Sequence, residues 1–166
     1  MADSFSLEEV RVALSPLERF EEYLQSRGKR ITQQRRIIVE EVFRAHDHFD
    51  ADDLLALVQK LGDRQRVSRP TVYRTLGELV DAGLLRKMTI DSRAVYEHDY
   101  GYPRHDHLHC QRCGRLIEFH SEQIEGIREA VSREHGFRAT GHRFTITGVC
   151  GDCSRSPRRP RPLDLV

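Results

Sequence analysis

The sequence predicts an α+β protein of two small domains, a helical first half and a second half of short strands that carry metal-binding side chains. Two observations predict this class. Amphipathic segments preceded by helix-capping residues succeed one another up to residue 83, and extended runs joined by turn residues follow them. With 166 residues, 38% hydrophobic and 32% charged, the chain is long enough for two small domains and a buried core.

The first two helices are predicted to begin at residues that cap helix N-termini. Ser15 and Pro16 open the first helix, which stops at Gly28, and Thr32 caps the second. Each segment carries apolar residues three or four positions apart, the spacing of a helix that buries one face. These residues are Leu17, Phe20 and Leu24 in the first helix and Ile37, Ile38, Val42 and Phe43 in the second.

Two further helices follow the same pattern. Asp50 caps a third helix that is expected to end at Gly62. Ser68 caps a fourth, with Pro70 in its first turn, where a missing backbone N–H costs nothing. The residues of the fourth helix expected to be buried are Val72, Leu76, Leu79 and Val80.

A β-hairpin is predicted directly after the fourth helix. Residues 84–90 and 93–98 are extended runs, and Asp91 and Ser92 between them form a two-residue turn signal. Several short helices followed by a hairpin are typical of a winged helix-turn-helix domain. In that domain the helix before the hairpin enters the major groove of DNA.

The charge of the chain is nearly balanced, with 27 basic and 26 acidic residues, so any DNA-binding surface must come from local clusters. Residues 27–36 contain five cations and residues 64–74 contain four, and neither stretch contains an acid. The position of cations governs phosphate binding more than the net charge does, although two solvated surfaces would give the same pattern. The candidate DNA contacts are Arg30, Arg35, Ser68, Thr71, Tyr73 and Arg74.

All four cysteines lie in two CxxC pairs separated by 36 residues, Cys110 with Cys113 and Cys150 with Cys153. Two such pairs are typical of a tetrahedral zinc site with four thiolate ligands. Two disulfides are the alternative, but no export signal is present and CxxC is a strained geometry for a disulfide. The sequence therefore favours a structural Zn²⁺ with no open ligand position.

Histidines form a second group of candidate metal ligands. His105 and His107 point to one face of an extended segment, and Glu118 is expected on a neighbouring strand. Imidazole and carboxylate ligands suit several divalent metals. The same residues could hold a catalytic zinc, and the paired CxxC motifs could instead belong to a zinc-ribbon interaction protein. The sequence contains no pattern that indicates a general base or a substrate pocket, so both alternatives rank below a metal-dependent DNA-binding protein.

The motifs, in their order along the chain, are similar to those of a known family. They are RxTxQR (30–35), HxDADDL (48–54), TVYRTL (71–76), VYE (95–97), HDHLHCQRCG (105–114), LIEF (116–119), HGF (135–137) and CGDC (150–153). This set, spread over residues 16–153, resembles the ferric uptake regulator (Fur) family of bacterial metal-sensing repressors. The resemblance implies a winged-helix domain, a hinge and a C-terminal α/β dimerisation domain with the Cys₄ zinc.

The resemblance also implies a regulatory metal, most simply Fe²⁺, for which Mn²⁺, Co²⁺ or Zn²⁺ can substitute. Its ligands would be His48, Glu97, His105, His107 and Glu118, bridging the two domains. A further metal site would use Asp106, Glu125 and His142, although Arg104 stands where many relatives supply another histidine. Zinc-, manganese- and peroxide-sensing relatives share the scaffold. Peroxide sensors place Asp where this chain has Glu97, which argues against the metal-catalysed histidine oxidation that those sensors use.

The expected organisation has three parts. Residues 1–92 form the winged-helix DNA-binding domain, in which 1–15 are mobile or add part of a helix. Residues 93–153 form the hinge and the metal-binding dimerisation domain, and 154–166 are a disordered basic tail. The expected partners are an operator in double-stranded DNA and a second copy of the chain, with higher assembly left open, but no small-molecule substrate. Without a signal segment or an apolar run near the ~18 residues of a membrane span, a cytoplasmic protein with no membrane partner is expected.

Overall fold

The computed structural model describes residues 10–44, 48–61 and 67–155. They form two compact units, an N-terminal unit that ends at Tyr102 and a C-terminal unit that begins at Pro103. The predicted helix stop at Gly62, most of the basic tail and most of the N-terminal segment lie outside the described residues. The first two residues of the predicted disordered tail instead belong to a short helix over Gly151–Arg155, in which the Ser154 N–H donates to the Cys150 carbonyl at 2.9 Å. In the part of the chain that is described, no helix has the length and hydropathy needed to cross a bilayer. The domain limits at residues 92 and 153 stay a prediction.

The N-terminal unit contains the four predicted helices and the predicted hairpin. Its elements are α1 (Pro16–Ser26), α2 (Gln33–Val42), α3 (Ala51–Gln59), α4 (Arg69–Asp81), β1 (Leu85–Ile90) and β2 (Arg93–His98). Ser15, Thr32, Asp50 and Ser68 are the N-caps, and each side chain accepts a hydrogen bond from the first turn of its helix. The capping residues therefore define where all four helices begin, as predicted.

One hydrophobic core joins the four helices to the hairpin. Phe20, Leu24, Ile38, Leu76 and Leu79 are fully buried in it. The predicted inward stripes are thus confirmed, except that Leu17, Phe43 and Val80 are only partly buried where they pack against the core. The core continues through Leu84 and Leu85 into β1, which holds the hairpin against the end of α4.

The hairpin turn has the tight geometry that the sequence predicts. Ile90 pairs with Arg93, so the loop contains only Asp91 and Ser92. Their φ angles are +47° and +65°. A two-residue turn with both central φ angles positive matches the right-handed twist of the strands, and short polar residues tolerate this conformation better than most.

The C-terminal unit is a small α/β unit. Its elements are β3 (Asp106–Cys110), β4 (Leu116–Phe119), α5 (Glu122–Glu134), β5 (Thr145–Gly148) and α6 (Gly151–Arg155). The strands form one sheet in the order β4-β3-β5, in which β3 is antiparallel to β4 and parallel to β5. The central position of β3 lets its residues meet side chains from both neighbouring strands, and both groups of candidate metal ligands begin on it.

Candidate metal centres and nucleic-acid surface

The sheet brings the four cysteines to one place. Cys110 ends β3 and pairs in register with Gly148 at the end of parallel β5. The two CxxC segments therefore lie at the same end of these two strands. The four Sγ atoms all lie within 4.8 Å of one another, and Cys113 and Cys150 are 3.8 Å apart. Four thiolates around Zn²⁺, each at about 2.3 Å in a tetrahedron, would be separated by about 3.8 Å.

The thiols are arranged for a metal ion. All four cysteines are free, and a sulfur separation of 3.8 Å is well beyond a disulfide bond length. Outside the ring of sulfurs, Arg115 forms an ion pair with Asp152 at 2.8 Å, which joins the chain near the first CxxC to the second. The residues present fit a closed zinc site with no room for an open ligand position.

Hydrogen bonds within the cluster shift the acidity of two thiols in opposite directions. The backbone N–H of Cys150 donates to Cys110 Sγ at 3.3 Å, and this bond, with others from the first CxxC, lowers the pKa of Cys110 to about 5. Hydrogen bonds to the sulfurs of Cys150 and Cys113 raise the pKa of Cys153 to about 12. One thiolate is therefore stabilised by the backbone, and a metal ion must displace the proton that another thiol retains.

A second group of ligand atoms lies at the other end of β3. His107 pairs in register with Glu118 of β4, and His105 Nε2 is 3.8 Å from Glu118 Oε1. The rings of His105 and His107 are 4.8 Å apart, and the ligand atoms of all three residues lie within 4.8 Å of one another. The expectation that Glu118 stands on the strand beside these histidines is confirmed.

The orientation of the His105 ring is set by a backbone contact. His105 Nδ1 lies 2.9 Å from the carbonyl oxygen of Pro103, a distance at which Nδ1–H donates a hydrogen bond. In that tautomer Nε2, which lies 3.8 Å from Glu118 Oε1, carries the lone pair of the ring. Metal-binding histidines are commonly oriented by such a contact on the opposite ring nitrogen.

The N-terminal unit holds the two remaining predicted ligands together. Phe49 forms an antiparallel bridge with Tyr96, which aligns the neighbouring residues His48 and Glu97. His48 Nε2 is 3.3 Å from Glu97 Oε2, and Glu97 is only 3% exposed. Arg86 Nη1 lies 3.5 Å from the other carboxylate oxygen of Glu97, Oε1, a contact that the sequence analysis missed. Strand alternation could have found it, because Arg86 stands opposite Glu97 across the hairpin.

The predicted further metal site is only partly assembled. Asp106 is buried, and its carboxylate lies 3.2 Å from His142 Nε2. The carboxylate of Glu125 instead faces Arg128 at 3.7 Å. Among the described residues, the groups of three or more ligand atoms within 4.8 Å of one another do not include this trio. Arg104 hydrogen-bonds to the carbonyl oxygen of Thr140 at 3.5 Å and contributes no metal-binding atom.

The start of α4 presents the predicted nucleic-acid contacts. Ser68 Oγ accepts a hydrogen bond from the Thr71 backbone at 3.3 Å, and the two hydroxyl oxygens are 2.8 Å apart. Tyr73 is 47% exposed and Arg74 is exposed. Within the described ranges no side chain pairs with Arg74, so its guanidinium is available for a phosphate or a guanine edge.

Most cations of the stretch at residues 27–36 are engaged in contacts with other side chains of the protein. Arg30 is exposed, and nothing in the described part of the chain pairs with its side chain. Arg35, the other predicted contact in this stretch, is a largely buried partner of an acid. The engaged cations are Arg27, 5.6 Å over the Tyr23 ring, Lys29 and Arg35, both bound to Glu78, and Arg36, bound to Glu21 at 2.8 Å.

Comparison with known proteins gives consistent matches. The sequence profile of the ferric uptake regulator family matches residues 26–147. The ferric uptake regulation protein of Campylobacter jejuni is 33% identical over 138 residues, which are 83% of this chain and 88% of that protein. The peroxide operon regulator of Bacillus subtilis is 31% identical over 134 residues, which are 81% of this chain and 90% of that protein.

The fold also matches a solved structure. The Helicobacter pylori ferric uptake regulator, described as having three functional metal-binding sites, superposes with a TM-score of 0.77. The superposition covers 90% of this chain and 98% of that one. At 23% sequence identity this match shows a likeness of fold. The two-part α+β architecture predicted from the sequence is thereby confirmed.

Proposed function

Because the chain belongs to the ferric uptake regulator family, we propose that it is a repressor that binds palindromic operators as a homodimer when Fe²⁺ is bound. As a member of this family the chain is a metal-responsive, DNA-binding transcriptional regulator and not an enzyme. The metalloenzyme alternative is therefore excluded. The observation that carries the finer proposal is the presence of two kinds of metal-binding group. Besides the closed group of four thiols, imidazole and carboxylate atoms lie at distances suited to a second, exchangeable ion.

The zinc ion at Cys110, Cys113, Cys150 and Cys153 has a structural role in this proposal. Four thiolates complete a tetrahedral shell, so no position is left for water or for a signal. The ion would join the end of β3 to the chain after β5. The binding free energy of such an ion contributes directly to folding.

The regulatory ion takes its ligands from His48, Glu97, His105, His107 and Glu118. Two contacts within single units support this assignment, the His48–Glu97 pair and the group on β3 and β4. Neutral imidazoles and carboxylates bind Fe²⁺ and Mn²⁺ well, and Zn²⁺ binds such sites more tightly still. Iron is proposed because the Campylobacter relative is named for ferric uptake. The Bacillus relative, a peroxide operon regulator, keeps peroxide sensing as the second candidate.

Asp106 and His142 are the residues proposed for a further, weaker metal site. Their contact at 3.2 Å supports two of its ligands, and Glu125 would have to leave Arg128 to add the third. Because Arg104 cannot act as a ligand, this site has one fewer imidazole than relatives with histidine at that position.

DNA binding is proposed to use the exposed side chains at the start of α4 together with Arg30. Arg74 would contact a base edge or a phosphate, Tyr73 a sugar or a thymine methyl, and Ser68 and Thr71 the backbone. An ion held by ligands on two units limits the orientations that the units sample, which favours one spacing of the two recognition helices in a dimer. A coupling of ~1–3 kcal/mol would change operator affinity about 5- to 150-fold.

A second copy of the chain is proposed as the partner of the C-terminal unit. No residue of α5 is buried in the single chain, and every residue of β5 is exposed. Large apolar groups are costly to leave in water, so a partner that covers them is favoured. The exposed apolar residues of this unit are Leu108, Ile117, Ile127, Val131, Phe137, Phe144, Ile146 and Val149. A cytoplasmic location is proposed with this function, because operators are found there.

Metal analysis and operator binding together test the proposal. The protein is purified without oxygen, its zinc and iron are counted, and its binding to duplexes selected from a random pool is measured with Fe²⁺, Mn²⁺, Co²⁺ or Zn²⁺. We expect one tightly held zinc per chain and tight DNA binding by a dimer only after a second ion is added. Binding that is equally tight without the second ion would contradict the proposed switch.

A further inference from the structure

A buried acidic residue connects the two elements that carry the proposed DNA contacts of the N-terminal unit, α4 and the loop before α2. Glu78 is only 5% exposed, although it carries a carboxylate. Arg35 donates to it through Nε at 3.0 Å and Nη2 at 2.9 Å, one bond to each carboxylate oxygen. Lys29 Nζ adds a third bond at 2.8 Å. Charge-assisted, two-pronged contacts of this kind are strong and restrict geometry.

The same contacts extend to the backbone of Arg30. Arg35 Nη1 donates to the Arg30 carbonyl oxygen at 2.9 Å, so one guanidinium binds both Glu78 and the loop before α2. Lys29, one residue earlier, is held by its side chain on Glu78 and by its backbone N–H on the Leu24 carbonyl at 2.8 Å. The backbone on which the Arg30 side chain stands is therefore fixed from two sides.

We propose that Glu78 is a positioning residue for DNA binding. It holds the loop of residues 29–32, and with it the exposed Arg30, at a set place relative to α4, which carries Arg74 one helical turn before Glu78. Arg35 takes part in DNA binding through this contact, by placing Arg30. The inference rests on the proposed function, since it concerns how the DNA-binding unit presents its cations.

Electrostatics alone predicts the opposite effect for this residue. Removing an acid near a DNA-binding surface, and releasing two cations from it, should strengthen the attraction of phosphates. If Glu78 acts by positioning, its removal should weaken binding, because Arg30 then loses entropy when it is ordered on the DNA. The sign of the change therefore separates a positioning role from a charge effect.

The test compares Glu78→Gln with Glu40→Gln. Glu40 is an exposed residue of α2, so its substitution removes the same charge without touching the contact network. The probe is a fluorescein-labelled duplex selected by the wild-type protein from a random pool with Mn²⁺, and anisotropy is measured at several salt concentrations. For Glu78→Gln we expect roughly tenfold weaker binding and a salt slope lower by about 1, the signature of one lost phosphate contact. Glu40→Gln should bind at least as tightly as the wild type.

Two further variants keep the test decisive if Glu78→Gln folds poorly. Arg35→Lys preserves the charge but loses the fork that joins Glu78 to the Arg30 carbonyl, so it should show the same weaker binding and lower slope. In a protein that already carries Arg30→Ala, Glu78→Gln should cost little more, because the two residues act on one contact. Circular dichroism and sedimentation check the fold and the dimer of each variant.

The outcomes distinguish this inference from the proposed function. If the wild type binds the duplex and both Glu78→Gln and Arg35→Lys bind it as tightly with an equal or steeper salt slope, the positioning role is wrong. An additive loss on the Arg30→Ala background would also contradict it. If the wild-type protein selects no duplex with any divalent metal, the DNA-binding function itself fails.

Discussion

Arg86 is expected to weaken the binding of the regulatory ion, so replacing it by Gln should tighten that binding. Its guanidinium lies 3.5 Å from one oxygen of Glu97, a proposed metal ligand, and 2.7 Å from Asp99. A cation that already shares the Glu97 carboxylate competes with an incoming metal ion for the same charge. Replacing Arg86 by Gln removes this competing cation from Glu97 and from Asp99, and both effects favour the binding of a metal ion nearby.

The size of the effect follows from the distance. Two unit charges 3.5 Å apart interact by about 1 kcal/mol in water and about 5 kcal/mol at an effective dielectric constant of 20. The side chain of Arg86 is 29% exposed and Glu97 only 3%, so screening by water from the Arg86 side favours the lower figure. We therefore expect Arg86→Gln to lower the Kd for Mn²⁺ by about fivefold, which corresponds to about 1 kcal/mol.

The zinc-loaded protein is titrated with Mn²⁺ in competition with a fluorescent chelator, which gives the Kd for Mn²⁺. A second titration measures the Mn²⁺ concentration needed for half-maximal operator binding. Arg93→Gln is the matched control, because Arg93 is an exposed cation of the same hairpin. Because solvent and salt screen a charge at the surface, Arg93→Gln should keep the Mn²⁺ affinity within twofold of the wild type. Unchanged or weaker Mn²⁺ binding in Arg86→Gln would refute the reasoning and would argue that Arg86 orients Glu97.

Four other predictions concern the remaining sites. Arg74→Ala should weaken operator binding about 5- to 150-fold without changing zinc content or the dimer, as anisotropy and sedimentation would show; a normal footprint would remove α4 from recognition. Cys113→Ser should lower zinc content and unfold the C-terminal unit first in urea, whereas full stability without zinc would contradict a structural ion. Because the pKa of Cys110 is lowered to about 5, it is a thiolate at pH 7, so zinc uptake should release fewer protons than four thiols would supply. His107→Ala and His48→Ala should both keep the zinc yet lose Mn²⁺-dependent operator binding. If His48→Ala alone keeps that Mn²⁺ response, His48 is not a ligand of the regulatory ion.

The start of each of the four N-terminal helices and the hairpin turn could be predicted from the sequence because the interactions that set them are local. A capping side chain binds a backbone N–H two or three residues away, as Ser15 and Asp50 do. The turn at Asp91 and Ser92 depends on the conformations that two residues tolerate. The metal-binding chemistry of the two CxxC pairs was equally visible, since thiolates at this spacing suit one ion.

The sequence by itself determined the class of the fold, the starts of the four N-terminal helices, the hairpin turn and the types of metal-binding group. Only the tertiary structure decided which charges are available at the surface. In the stretch of residues 27–36, Arg30 and Arg35 look equivalent, yet Arg35 binds Glu78, a residue 43 positions later. The predicted two-residue turn already implies that Arg86 stands opposite Glu97, but only the packed side chains show its guanidinium 3.5 Å from that carboxylate. A carboxylate satisfies whichever donors the packed helices and strands bring to it, and a one-dimensional pattern does not contain those long-range distances.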